Sequence, residues 1–117
     1  MKDVVIVSGC RTAQGSFNGS LAGIGATKLG AIVIEEAIRR AGISKEIVDE
    51  AIMGMVLPCG YGQNPGKQAV IQAGLPWHVG GITVNKVCGS GLKAVMLGAQ
   101  AIAVGDADIV IAGGMEN

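Results

Sequence analysis

Four short apolar runs alternate with three stretches of helical periodicity, and that alternation leaves few folds open to the chain. Residues 4–8 form a continuous β-branched run, as expected of a strand buried on both faces. Residues 51–57, ended by Pro58, read as a second strand, residues 82–84 as a third and residues 108–112 as a fourth. A helix is expected from about Thr27 to Ala41, with Ile34, Ala37, Ile38 and Ala41 on one core-facing stripe. Glu35–Arg39 and Glu36–Arg40 stand four apart on its solvated face, and Gly42 suits a C-terminal cap. Ser44 is placed to cap a short helical turn over 45–48. Asn64-Pro65 reads as an N-cap followed by proline at the first helical position, opening a helix to about Ala73 that Gly74 closes. Cys88-Gly89-Ser90-Gly91 opens a long helix to about Val104, stopped by Gly105. Leu92, Val95, Met96, Ala99 and Ile102 are its expected buried stripe, and Met53 and Met55 join Met96 as expected core. The order β-α-β-α-β-α-β predicts an α/β fold with a mostly parallel sheet and covering helices.

Composition removes several functional classes. Lys plus Arg and Asp plus Glu number 9 each, so the chain lacks the basic footprint that nucleic acid demands. Aromatic residues make up 3%, too few for a stacking platform, while half the residues are apolar, which argues for packing rather than disorder. Glycine supplies 20 of 117 residues with no Gly-x-y period, pointing to a backbone that turns tightly or approaches something closely. The three cysteines, Cys10, Cys59 and Cys88, form no Cys-x-x-Cys pair, and one histidine, His78, cannot complete a zinc site. No metal, no disulfide framework and a reducing cytoplasm are therefore expected. No run approaches the roughly 18 apolar residues that span a bilayer, and the first residues lack the pattern of a signal peptide. The last strand runs into Gly113-Gly114-Met115-Glu116-Asn117 with no helix after it. A parallel sheet is apolar on both faces, so the chain is expected to be incomplete on its own, covered by a larger domain or by another chain.

Chemistry concentrates in Asn85-Lys86-Val87-Cys88-Gly89-Ser90-Gly91-Leu92-Lys93. A cysteine between a strand and a helix start lies at the positive end of the helix dipole, a setting that favours thiolate. The glycines after it leave room for a carbonyl to approach the sulfur, and main-chain amides there can face a developing oxyanion. The competing reading makes Cys88 a small buried hydrophobe, the common state of a free cysteine. Ser90 is a rival nucleophile, but Gly-x-Ser-x-Gly needs glycine at 88. Gly23-Ile24-Gly25 and Gly60-Tyr61-Gly62 lack the dinucleotide fingerprint, and no Gly-Lys-Ser/Thr is present. His78 would have to fold back ten residues to serve as base, and Cys10 and Cys59 read as space-filling.

Val87-Cys88-Gly89-Ser90-Gly91-Leu92-Lys93-Ala94 resembles the nucleophile motif of the thiolases. The resemblance extends in order along the chain. Val5-Ile6-Val7-Ser8 with Arg11-Thr12-Ala13 and Gly15-Ser16-Phe17 is similar to that family's first strand and loop. Gly62-Gln63-Asn64-Pro65 with Gln68-Ala69 is similar to a later helix start, and Gly105-Asp106-Ala107 with Ala112-Gly113-Gly114-Met115-Glu116 to the strand after the catalytic helix. The resemblance implies a thiolase-like fold, with residues 1–117 as the N-terminal part of the N-terminal domain and the CoA-binding loop region and C-terminal domain absent. It implies that Cys88 takes an acyl group from an acyl-CoA as a thioester, its main-chain NH contributing to an oxyanion hole. A second acetyl-CoA then attacks to give acetoacetyl-CoA, or the reverse thiolysis runs. Coenzyme A thioesters are substrates, no metal or redox cofactor takes part, and members are homo-oligomers. The later motifs that supply an activating histidine, a second cysteine, a water-holding asparagine and most CoA contacts have no match here, and His78 corresponds to none of them. Gly66-Lys67 stands where Ala-Arg is common. The isolated chain is therefore expected to have little or no turnover, with a non-catalytic half-domain that joins a separate chain, or another condensing enzyme such as a ketoacyl synthase, as alternatives.

Overall fold

The computed structural model describes residues 1–117 and builds them around three parallel strands: β1 (Glu50–Gly54), β2 (Gly80–Val84) and β3 (Val110–Gly114). The order across the sheet is β2-β1-β3, with Ile52 opposite Ile82 on one side and Ala112 on the other. Helix α1 (Ala26–Ala41) precedes β1, α2 (Pro65–Gln72) crosses from β1 to β2, and α3 (Ser90–Ala103) carries the chain past β1 to β3. Each crossover returns the chain to the same end of the sheet, so the carboxyl ends of all three strands face one way.

Side-chain alternation separates the two faces of the sheet. Ala51, Met53 and Met55 pack with Ile34 and Ile38 of α1, Ala69 and Val70 of α2, and with Val48, Val79 and Met115 in one buried cluster. On the other face a Cβ at Gly54 would meet the start of α3, and one at Gly98 of α3 would meet Val110 and Ala112. The architecture is α1 and α2 on one side, the sheet between, and α3 on the other.

The helix ends follow the local chemistry. Gly42 takes the left-handed conformation and its N–H caps the carbonyls of Ile38 and Arg39. Asn64 Oδ1 accepts from Lys67 N ahead of Pro65, and Ser44 Oγ accepts from Glu46 N to start a 3₁₀ turn over Lys45–Ile47. Lys45 Nζ then reaches both Glu35 and the carbonyl of Ala73, joining α1, the turn and the end of α2.

Four expectations are corrected. Residues 4–8 form no strand: Val5, Ile6 and Val7 are exposed and join no ladder. A β-branched run becomes a strand only where a neighbour's N–H and C=O groups lie in register. Here one side of an open cleft of ≈ 1410 Å³ is formed by this segment and the other by β3. The stripe of α3 is reversed as well: Leu92, Val95 and Met96 are exposed, while Ser90, Ala94 and Gly98 are its buried residues. Small side chains let the helix sit close on the sheet, which turns the bulky ones outward. Glu36 pairs with both Arg39 and Arg40, while Glu35 pairs with Lys45 instead of Arg39. Cys59 is exposed rather than space-filling, whereas Cys10 is partly buried and its thiol donates to the carbonyl of Val33.

Candidate active site

The carboxyl ends of parallel strands are where open α/β sheets bind ligands, and the loops leaving β1, β2 and β3 meet there. The Glu116 carboxylate, just past β3, accepts from Val56 N at 2.7 Å and Leu57 N at 3.1 Å, just past β1. Asn85, just past β2, donates from Nδ2 to the carbonyl of Val56. Asn117 Nδ2 reaches the carbonyls of Leu21 and Ile24, and the Tyr61 hydroxyl accepts from Ala26 N at the start of α1. Three strand exits and one helix entrance are thus tied into one surface.

Cys88, between β2 and α3, lines the same cleft as Val56, Glu116 and Asn117. It precedes the N-cap Gly89, and its side chain is exposed, which sets aside the reading of a buried hydrophobe. Its main-chain N–H makes no hydrogen bond within the chain, and neither do those of Gly91 and Leu92 in the first turn of α3. Unpaired amides at a helix start carry the positive end of the dipole. A thiol beside them has what attack on a carbonyl needs locally: a nucleophile, and donors for the oxygen that becomes negative.

The approach to Cys88 is built from groups that sequence reasoning passed over. Val87 has φ of +48°, a left-handed conformation that is a genuine outlier for a β-branched residue. Two side chains hold it. Asn85 Oδ1 accepts from Val87 N at 2.9 Å, an Asx turn that the Asn-x-x spacing does encode. Ser90 Oγ accepts from Lys86 N at 2.8 Å and donates to the carbonyl of Val87 at 2.6 Å. Ser90 is 4% exposed and fully engaged, so it is no rival nucleophile. Gly54 and Gly114 let the strand ends pass against the backbone of Ser90 and Gly91.

His78 lies elsewhere. It precedes β2 while Cys88 follows it, which puts the length of the strand, about 16 Å, between them. Its Nε2 is 3.3 Å from the carbonyl oxygen of Glu46. No group of three or more His, Cys, Asp and Glu side chains converges anywhere in the chain, and no helix is long and apolar enough to cross a membrane.

A family model described as "Thiolase, N-terminal domain" matches residues 4–117. An acetyl-CoA acetyltransferase from Cupriavidus necator is 64% identical over 117 residues, which is all of this chain and 30% of that protein. One from Escherichia coli is 62% identical over the same span and the same share of its length. Among solved structures, the Acat5 thiolase from Ascaris suum in complex with coenzyme A aligns with a TM-score of 0.94 at 43% identity, covering 97% of this chain and 30% of that one. The chain spans about 30% of the length of the curated relatives it matches. The parallel sheet, the cysteine at the mouth of α3 and these matches agree: the chain belongs to the thiolase family.

Proposed function

We propose that this chain supplies the acyl-accepting half of a thiolase site, as the first part of the family's N-terminal domain. Cys88 is the nucleophile. Its sulfur attacks the carbonyl of an acyl-CoA, the coenzyme A thiol leaves, and the acyl group remains as a thioester. The Cys88 N–H receives the oxyanion as it forms. A second acetyl-CoA, deprotonated at its methyl group, attacks that thioester to give acetoacetyl-CoA and release the thiol. In reverse the site cleaves 3-ketoacyl-CoA. That chemistry fits a role in fatty acid metabolism in the cytoplasm, where thiols stay reduced, and in a homo-oligomer. The single observation that carries the reading is an exposed cysteine with a free main-chain N–H at the carboxyl ends of a parallel sheet.

No basic side chain of this chain is bonded to Cys88. A paired base contributes about 10²–10⁴-fold in rate, so sustained condensation by the 117 residues alone is expected to be slower by at least that factor. The acyl-transfer half-reaction is tested by the intact mass of the purified chain after incubation with acetyl-CoA, with peptide mapping. One acetyl group on Cys88, lost in Cys88→Ala, is the expected result. Acetylation confined to Cys59, or no adduct at all, would remove Cys88 as an acceptor acting without further chain. A second reading, a non-catalytic half-domain that joins a separate chain, draws on the exposed apolar residues Leu92, Val95 and Met96 of α3. It predicts no acetylation of Cys88 even when the remaining two-thirds of a relative is supplied in trans.

A further inference from the structure

We infer that Ser90 is a positioning residue, whose hydroxyl clamps Val87 in its left-handed conformation and thereby fixes the Cys88 N–H as an oxyanion donor. The inference rests on Cys88 as the nucleophile and adds what holds it. Three observations converge. A β-branched residue at φ +48° does not stay there unaided, because its Cβ crowds the neighbouring carbonyl. Outliers of this kind persist only where the surroundings over-determine them, and they cluster at functional sites.

The Ser90 hydroxyl spans the whole turn. It takes a hydrogen bond from the N–H of residue 86 and gives one to the carbonyl of residue 87, closing a ring around the strained peptide. That carbonyl belongs to the peptide whose N–H is that of Cys88. Orienting one end of a rigid, planar peptide orients the other, so the two bonds that the Val87 oxygen accepts, from the Ser90 hydroxyl at 2.6 Å and from Ser90 N at 3.1 Å, set the direction of the Cys88 N–H, the hydroxyl bond being the shorter. Ser90 itself is held still, buried at the start of α3 against Gly54, where a Cβ would lie 2.7 Å from the Ser90 Cβ. Asn85 is the second, more exposed latch on the same turn.

The test compares two reagents on the same two thiols. p-Nitrophenyl acetate acetylates a thiol through an oxyanion, whereas iodoacetamide alkylates it at a saturated carbon with no oxyanion. Cys59, exposed and outside the turn, is the internal reference. The Cys88-to-Cys59 rate ratio is expected to be about tenfold larger with the ester than with iodoacetamide. In Ser90→Ala, which keeps only the main-chain bond to the Val87 oxygen, the ester's advantage should fall several-fold, with the far-ultraviolet circular dichroism unchanged. Adding Val87→Gly to Ser90→Ala should restore a several-fold preference, because glycine adopts positive φ about as readily as negative. A purely structural serine would show no such rescue. Should Ser90→Ala fail to fold, Asn85→Ala is read in its place and should reduce the ester preference in part. Equal ratios in the unmodified chain, or an ester preference undiminished in Ser90→Ala, would overturn the inference. Failure of acetyl-CoA to label Cys88 while the ester preference stands would count against the proposed function and leave the clamp intact.

Discussion

Gly54 ends β1 directly beneath the first turn of α3. A Cβ there would lie 2.5 Å from the carbonyl carbon of Ser90 and 2.7 Å from Gly91 N. Both are backbone atoms, so no side-chain rotation relieves the clash, and the helix start itself must move. Gly54→Ala is expected to lose about 1–3 kcal/mol, the usual scale of overpacking, and to lower the ester preference of Cys88 in the same variant. An unaltered thermal midpoint would show that β1 and α3 are less tightly apposed than this. Asp49, at the opposite end of the sheet, makes a pH-dependent contribution to stability. Its Oδ2 accepts from Asp108 N at 2.7 Å and Ile109 N at 3.0 Å. Bonds to Ile109 N and then Asp108 N favour the charged carboxylate and hold the group below its ordinary 3.8, against a smaller opposing effect of desolvation. A carboxyl lowered in the folded state stabilises above its unfolded pKa and loses that contribution as pH falls through the folded value. The gap in melting temperature between the unmodified chain and Asp49→Asn should therefore stay constant near neutrality and narrow as pH falls below about 3.8. A gap independent of pH down to the acid unfolding transition would contradict this assignment. At this scale the sequence singles out Cys88 as a candidate, because a cysteine between a strand and a Gly-Ser-Gly helix start is a local pattern, and the structure finds its side chain exposed. The sequence concealed Val87, because β-branched residues are among the last expected at positive φ, and only the Asn85 and Ser90 bonds make that conformation hold.

Elements were legible wherever their ends carry their own chemistry. Asn64-Pro65, Ser44, Gly42 and Gly105 each mark a boundary that the structure places within a residue or two of expectation. What periodicity could not give was orientation. Helix α3 has an apolar stripe and a small-residue stripe, and hydrophobicity alone assigns the first to the core. Packing chose the second: Ser90, Ala94 and Gly98, spaced four apart, bring the helix onto β1 and β3, where a Cβ on Gly98 would already lie 3.0 Å from Val110 Cγ1. The two assignments predict opposite mutational outcomes. Ala94→Leu should destabilise by about 1–3 kcal/mol through overpacking, while Leu92→Ser, at a position 68% exposed, should stay within about 0.5 kcal/mol. Denaturant midpoints decide between them, and a large loss in Leu92→Ser with tolerance of Ala94→Leu would restore the periodicity reading. Residues 4–8 make the same point for strands. Composition marks what a segment can be, but ladder hydrogen bonds require a partner in register, and those lie outside the segment's own sequence.

The whole molecule carries more surface than its mass requires. A folded monomer of 11.7 kDa is expected to expose about 5,900 Å², and this chain exposes 6898 Å². Its radius of gyration, 13.6 Å, is nonetheless close to the roughly 13 Å of a compact domain near this length. The molecule is elongated all the same, with principal extents of 44 × 27 × 24 Å, and part of the excess lies in the exposed N-terminal segment that joins no ladder. The excess lies also along the open cleft beside β3 and on the outward face of α3, where Val5, Ile6, Val7, Leu92 and Met96 all face solvent. An excess of roughly 1,000 Å² is about what one partner contributes to a standard protein interface, near 800 Å². Apolar side chains gathered on exposed faces drive association. The chain on its own should then self-associate, with a sedimentation coefficient that rises with concentration across the micromolar range. Leu92→Ser combined with Met96→Ser should move that distribution towards the 11.7 kDa monomer without lowering the thermal midpoint, because neither side chain contributes to the buried core. A single monomeric species at every concentration would mean that the exposed faces are too dispersed to act as one surface. Association that the double substitution leaves untouched would assign it to the cleft beside β3 instead of the face of α3.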